Sequence, residues 1–218
     1  MRAALGVFRR AIRHLNGNGY IYVWANLAFV LLSLPIITMP AAWAGLSRLT
    51  YHAIREPNAD WDEFIGGIKE WLVRGVVLAL VNATILMLNG FNLLLHPGST
   101  LGDWALRAFW IGFLVVWFSI QFYMYPLYYA METPTLRGAF RNALIMVIFN
   151  PVYTLTLTAL LLIVWSFSTI LFASWGLLTV SFMAILANVA VQDRIRKAGY
   201  DKPKTPTPEV ADEVFYGT

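Results

Sequence analysis

The chain has 218 residues, 59% hydrophobic and only 13% charged, where an ordinary soluble domain carries roughly 25% charged residues. So little polar surface cannot solvate a globule, and the length accommodates one helical bundle without a separate catalytic domain. The net charge of +4 comes from 16 Lys and Arg set at the borders of apolar segments, where anionic headgroups would meet them, a pattern that speaks against nucleic acid; with no cysteine present, disulfides, thiolate metal sites and cysteine nucleophiles are excluded.

Four stretches lack Asp, Glu, Lys and Arg altogether: 14–47, 75–102, 108–131 and 142–192. A helix needs ~20 apolar residues to cross a hydrocarbon core of roughly 30 Å, so each stretch is long enough. Ion-coupled carriers usually hold an ionisable group inside the membrane, and these stretches hold almost none.

In chain order, residues 1–19 read as a basic amphipathic helix on a membrane surface. Leu5, Phe8, Ile12 and Leu15 recur at spacings of three and four, with Arg9, Arg10 and Arg13 largely off that stripe. The Asn16–Gly19 run then breaks the helix. The first hydrophobic segment, 20–46, carries Pro35 and Pro40, each of which lacks an amide hydrogen, so a kink or an unwound stretch is expected. Ala42-Trp43-Ala44 has the form of a signal cleavage site, but the apolar run is too long and the basic region before it too extended.

Residues 48–74 form a polar connection in which Trp61, Phe64, Ile65, Ile68, Trp71 and Leu72 keep helical spacing, with Asp60 or Asn58 as cap, and predict a second interfacial helix. A second span follows at 75–95, a short turn at His96–Ser99, and a third span at 104–130 that ends in a tyrosine cluster. Thr133 followed by Pro134 predicts a helix start, with Arg137 and Arg141 on one face. The last charge-free stretch accommodates two spans, 142–164 and 168–192, with a tight hairpin near Trp165 to Ser168. The tail, 193–218, is polar and proline-bearing and is expected to be disordered. The fold class is therefore all-α: a polytopic membrane bundle of about five hydrophobic segments with interfacial amphipathic helices.

Orientation follows from where the positive charges lie. Five crossings place eleven Lys and Arg on one side and five on the other, with the C-terminus in the cytoplasm. If the proline-broken first segment is instead re-entrant, fifteen lie on one side and only Arg107 on the other. Both arrangements put the C-terminus and the 48–74 loop in the cytoplasm.

The strongest polar groups within the spans are amides: Asn26, Asn82, Asn89, Asn142 and Asn150 among them. Asn82 and Asn89 are seven apart and Asn142 and Asn150 eight apart, so each pair can share a helix face. They serve either as contacts between helices or as a lining for a small neutral solute. The NATILML run at Asn82 and NALIMVI at Asn142 look alike, as apolar segments often do, and Pro35, Pro40 and Pro151 read as kinks or as the marks of an unwound site. His14, His52 and His96 lie apart, without metal spacing, and no nucleotide, nucleophile-elbow or dinucleotide motif occurs. Asp60, Asp62, Glu63 and Glu132, on which an interfacial enzyme would depend, read more simply as solvated charges. No catalytic residue, metal or cofactor is expected.

The run SLPIITMPAAWAGL at Ser33–Leu46 and the later TLRGAFRNALIMVIFNPVYTLTL at Thr135–Leu157, with Asn26 before them, resemble the YesL-like family of bacterial membrane proteins, domain of unknown function 624. The resemblance covers about residues 6–192 and aligns Pro35, Thr38, Pro40, Ala41, Asn142, Asn150 and Pro151 with the family's recurring positions. It implies a polytopic inner-membrane protein, and many family members lie beside carbohydrate uptake systems. The expected function is thus a non-enzymatic accessory or regulatory component of carbohydrate uptake, with the lipid bilayer and a sugar transporter subunit or a second copy of itself as partners. The alternative is a small facilitative transporter or channel for a neutral solute.

Overall fold

A computed structural model describes residues 2–17, 19–56, 59–170 and 178–200. Eight helices are found among them: α1 (Arg2–Gly17), α2 (Gly19–Ser33), α3 (Met39–Arg55), α4 (Trp61–Leu95), α5 (Leu101–Ala130), α6 (Leu136–Phe149), α7 (Pro151–Ile170) and α8 (Val180–Lys197). Three of them, α4, α5 and α7, are long and apolar enough to cross a membrane. The five spans expected from the sequence are therefore not matched by five long helices.

The first hydrophobic segment is not one helix. With no amide hydrogens at Pro35 and Pro40, the ladder cannot run through, and the chain folds into α2 of 15 residues, a turn, and α3 of 17. Ala25 and Phe29 of α2 share a core with Ala42, Leu46 and Leu49 of α3, and the Phe29 and Trp43 rings lie 6.1 Å apart edge to face, so the two helices fold back on each other.

The predicted second interfacial helix and second span are instead a single helix, α4, of 35 residues. Nothing between Leu72 and Gly75 breaks it, and at a rise of 1.5 Å per residue it is about 52 Å long, well beyond a hydrocarbon core. Asp60, one of the two expected caps, accepts from the Trp61 amide at 2.6 Å. The N-terminal half of α4 packs against α3 through glycines: a Cβ on Gly67 would fall 2.7 Å from the Gly45 Cα, and one on Gly45 2.6 Å from the Phe64 carbonyl oxygen. Larger residues at either position would push the helices apart.

Other boundaries also differ from expectation. α6 is capped by Thr135 rather than Thr133, because the Thr135 hydroxyl reaches the Gly138 amide at 3.2 Å. The expected span 142–164 is broken at Asn150, where α6 ends and Pro151 opens α7. The hairpin expected near Trp165 to Ser168 does not occur there. Ser166 and Thr169 return their hydroxyls to the carbonyls of Leu162 and Trp165, at 2.9 and 3.0 Å, and α7 continues to Ile170. Residues 171–177 lie outside the described residues, as does the expected disordered tail beyond 200. That tail does not begin at 193, since α8 stays helical to Lys197.

The interior is built from α1, α8, the C-terminal half of α5 and the buried faces of α3, α4 and α6. Trp71 is fully buried, 4.6 Å from the Tyr125 ring and 5.1 Å from the Tyr128 ring. α1 meets this core through Ala4, Val7 and Ala11, with Phe8 and Leu15 half-buried, whereas Leu5 and Ile12 of the expected stripe stay exposed. Small residues at the contact let α1 lie close across the bundle. The far part of α4 and the near part of α5 extend away from this core with Val77, Leu80, Met87, Phe91, Phe109 and Ile111 exposed, an apolar surface suited to acyl chains and unsuited to water.

Candidate functional site

The amides inside the apolar segments are held by neighbouring helices. Asn26 is completely buried, and its side-chain oxygen accepts from the backbone amides of Val180 and Ser181, both at 2.9 Å. It caps the start of α8 from a different helix, supplying the acceptor that first-turn amides otherwise lack. Ser181 returns a bond to the Tyr22 carbonyl at 2.8 Å. Asn82 accepts from Trp117 Nε1 and Gln121 Nε2 and donates to Gln121 Oε1, all at 2.9 Å. Asn89 donates to the Trp110 carbonyl at 3.0 Å. The seven-residue spacing therefore does turn both amides toward one helix, α5.

The other expected pair is separated. Asn142 is half-buried on α6, while Asn150 is the C-cap of that helix, donating to the Met146 carbonyl at 3.2 Å and accepting from Arg194 at 3.1 Å. Of the prolines, Pro35 is exposed in the α2–α3 turn, Pro40 is buried in the first turn of α3, and Pro151 is the first residue of α7. Among the basic residues, Arg9, Arg13, Arg137 and Arg141 are exposed on α1 and α6.

Arg10 behaves differently. Its guanidinium meets Asp193 of α8 at 2.5 Å, and Lys197 approaches the same carboxylate at 3.0 Å. Burial works to raise the Asp193 pKa, but hydrogen bonds from Arg10 and Lys197 outweigh it and hold the carboxyl below its ordinary range. His14 nearby is shifted downward, first by burial and then by the charges of Arg10 and Arg13. A small depression of about 80 Å³ lies between them, also lined by Gln192 and Arg196. A second, open depression of about 330 Å³ sits where the α6–α7 junction meets Arg194, whose guanidinium stacks 3.6 Å over the Tyr153 ring.

A further network joins α3, α4 and α5. Arg48 donates to Glu63 at 2.7 Å, His52 lies 3.5 Å from the same carboxylate, Tyr128 donates to Glu70 at 2.6 Å, and Arg74 donates to the Tyr128 hydroxyl at 2.7 Å. Sequence reasoning missed this network and the Arg10–Asp193 pair. The i,i+4 spacing of Glu70 and Arg74 was a visible signal, whereas nothing local ties residue 10 to residue 193.

Chemically, these groups position helices. Asn82 pairs with Trp117 and Gln121, and Asn26 and Asn89 bond backbone groups, although the Asn89 side-chain oxygen is buried without a hydrogen-bond partner; each of the two depressions has an arginine in its lining. No family model, curated protein or solved structure matches the chain.

Proposed function

We propose that this chain is a non-enzymatic, multi-pass component of a bacterial inner membrane that acts through helix contacts with a membrane partner, as an accessory or regulator of carbohydrate uptake. The observation that carries the reading is the engagement of Asn26, Asn82 and Asn89 with neighbouring helices, which leaves extended apolar faces of α4, α5 and α7 as the surface presented within the membrane. The link to carbohydrate uptake rests on the resemblance to the YesL-like family. On this reading the C-terminus and the 48–74 connection face the cytoplasm, where the positive charges belong.

Co-purification in mild detergent tests the proposal. A sugar transporter subunit should be recovered with the full-length protein, and deletion should alter sugar uptake; recovery of the protein alone, with uptake unchanged, counts against it. A facilitative transporter would need amides lining a path. Its test is flux into liposomes that falls on Asn82→Leu, and sealed liposomes exclude it.

A further inference from the structure

The least ordinary segment of the molecule is the turn between α2 and α3. Leu34 and Ile36 are 72% and 75% exposed, with Ile37 and Met39 exposed beside them, and no charged residue lies between positions 14 and 47. A tip this apolar is unsuited to water.

Of the five backbone amides in residues 34–39, four bond to carbonyls of the turn or of the end of α2, Thr38 being the exception. Pro35 and Pro40 have no amide hydrogen to offer. The Leu34 amide donates to the Leu31 carbonyl at 3.3 Å, Ile36 to Ser33 at 2.9 Å, Ile37 to Pro35 at 2.6 Å and Met39 to Ile36 at 3.1 Å. The Thr38 hydroxyl donates to the Leu32 carbonyl. Closing the turn leaves Ile36, a β-branched residue, at φ +60°, a left-handed conformation that such residues rarely adopt. Water would satisfy these amides without that strain. In hydrocarbon each unsatisfied backbone group costs several kcal/mol, which favours bonding the amides within the turn.

Length and charge supply the rest. α2 is about 22 Å long and α3 about 25 Å, and α3 carries Arg48, His52 and Arg55 in its second half, so neither helix spans roughly 30 Å of hydrocarbon. The contacts gather the basic ends of several helices together. Arg10 of α1 binds Asp193, and Arg194 binds Asn150 at the α6–α7 junction. Val180 and Ala184 of α8 pack with Ala42 and Leu46, and Asn188 bonds Ser47 and Thr50, so α3 and α8 run in the same direction with their basic C-terminal ends together.

We propose that the α2–α3 hairpin enters and leaves the bilayer from one face, with residues 34–39 seated among phospholipid acyl chains, so that the N- and C-terminal ends lie on the same side. The occupant of the exposed tip is lipid. This topology stands or falls separately from the accessory role, since co-purification and sugar uptake do not depend on which face carries α1.

The absence of native cysteine makes the test direct. Single cysteines are introduced into the full-length protein as Gly6→Cys, where a Cβ meets nothing within 4 Å, and as Ser99→Cys, Tyr200→Cys, Leu34→Cys and Ile36→Cys. Sealed vesicles of each orientation are treated with a membrane-impermeant maleimide. Gly6→Cys and Tyr200→Cys should react from one face and Ser99→Cys from the other. The two tip variants should react about tenfold or more slowly from either face, because the reactive thiolate is suppressed in hydrocarbon. A fluorophore attached at either tip position after solubilisation, followed by reconstitution, should be quenched by nitroxides on lipid chains. Labelling of Gly6→Cys and Tyr200→Cys from opposite faces overturns the proposal, as does tip labelling as fast as that of Ser99→Cys. Protected tips that lipid nitroxides fail to quench would assign the tip to a protein partner and overturn it as well. Leu34→Cys and Ile36→Cys give independent readings if one disturbs folding.

Discussion

Two helical hairpins in this chain, α2 with α3 and α4 with α5, are each joined by five residues, and the two turns solve the same geometric problem in opposite ways. At residues 96–100 the turn is fastened by polar side chains. The Thr100 hydroxyl accepts from the Asp103 amide at 3.1 Å, Asp103 accepts from the Ser99 and Thr100 amides at 3.0 and 3.1 Å, and Arg107 donates to the Pro97 carbonyl at 2.9 Å. Gly98, at φ +88°, takes the left-handed position without strain. At residues 34–38 there is no glycine and no charge, and most backbone amides bond to nearby carbonyls, with Ile36 bearing the strained angle. A turn can leave donors to water only where water is present, so on the proposed topology the chemistry of each turn matches its solvent. The helix lengths differ in the same sense: 35 and 30 residues are long enough to cross a bilayer, while 15 and 17 are not.

The sharpest way to break this comparison is Ile36→Asp against Ser99→Asp. A carboxylate at the apolar tip should destabilise the inserted hairpin by up to about 3 kcal/mol, the insertion penalty of Asp at a membrane centre, whereas Ser99→Asp should stay within about 0.5 kcal/mol. Membrane-integrated yield and thermal unfolding in detergent read both, and equal effects would dissolve the distinction. Next is Asn26→Leu, which strands the amides of Val180 and Ser181 and should cost about 2 kcal/mol in the same unfolding assay. An unchanged stability would mean that the first hairpin is not anchored to α8 by this amide.

At the polar turn, Thr100→Ala removes one half of the capping box and should cost about 1 kcal/mol, while Thr38→Val at the other turn removes only the hydroxyl bond to Leu32. A smaller loss than at the Thr100 cap is expected for Asn82→Leu, about 0.6 kcal/mol for an amide contact in a membrane bundle, measured in a double-mutant cycle with Gln121→Leu.

Acid should act on neither turn but on the contact of α1 with α8. The Asp193 pKa is lowered in the folded state, so its contribution is fully present above an ordinary carboxylate value of about 3.9 and is lost as pH falls through the lowered one. The His14 pKa is also lowered. Protonation of that ring disfavours the folded contact, and a milder loosening should therefore begin as pH falls below about 6.5. The distance between spin labels on Gly6→Cys and Tyr200→Cys should lengthen in those two steps.

Much of the fold is legible in residue order because lipid imposes simple rules. The charge-free stretch 75–102 announces a long helix, a turn and the start of another, and the spacing of Asn82 and Asn89 announces a shared face. Other expectations failed for identifiable reasons. The apolar stripe of α1 pointed to Leu5 and Ile12, but the interior takes Ala4, Val7 and Ala11, since close helix crossing favours small side chains. Thr133 looked like a cap, yet Thr135 is the residue placed to reach Gly138. The interfacial helix before position 75 was separated from the span after it because charge changes there, although the backbone continues as one helix through Gly75.

Composition and spacing by themselves indicated that the chain is helical and that it carries long apolar segments suited to a membrane, because transfer of apolar and charged groups between water and hydrocarbon depends on residue type alone. Whether the proline-broken segment continues or folds back, which amide meets which helix, and that Arg10 finds Asp193 were decided by tertiary structure. Those outcomes depend on contacts between residues distant in the chain, such as Asn26 with Val180 and Gly45 with Gly67, and no local pattern encodes which two surfaces will meet.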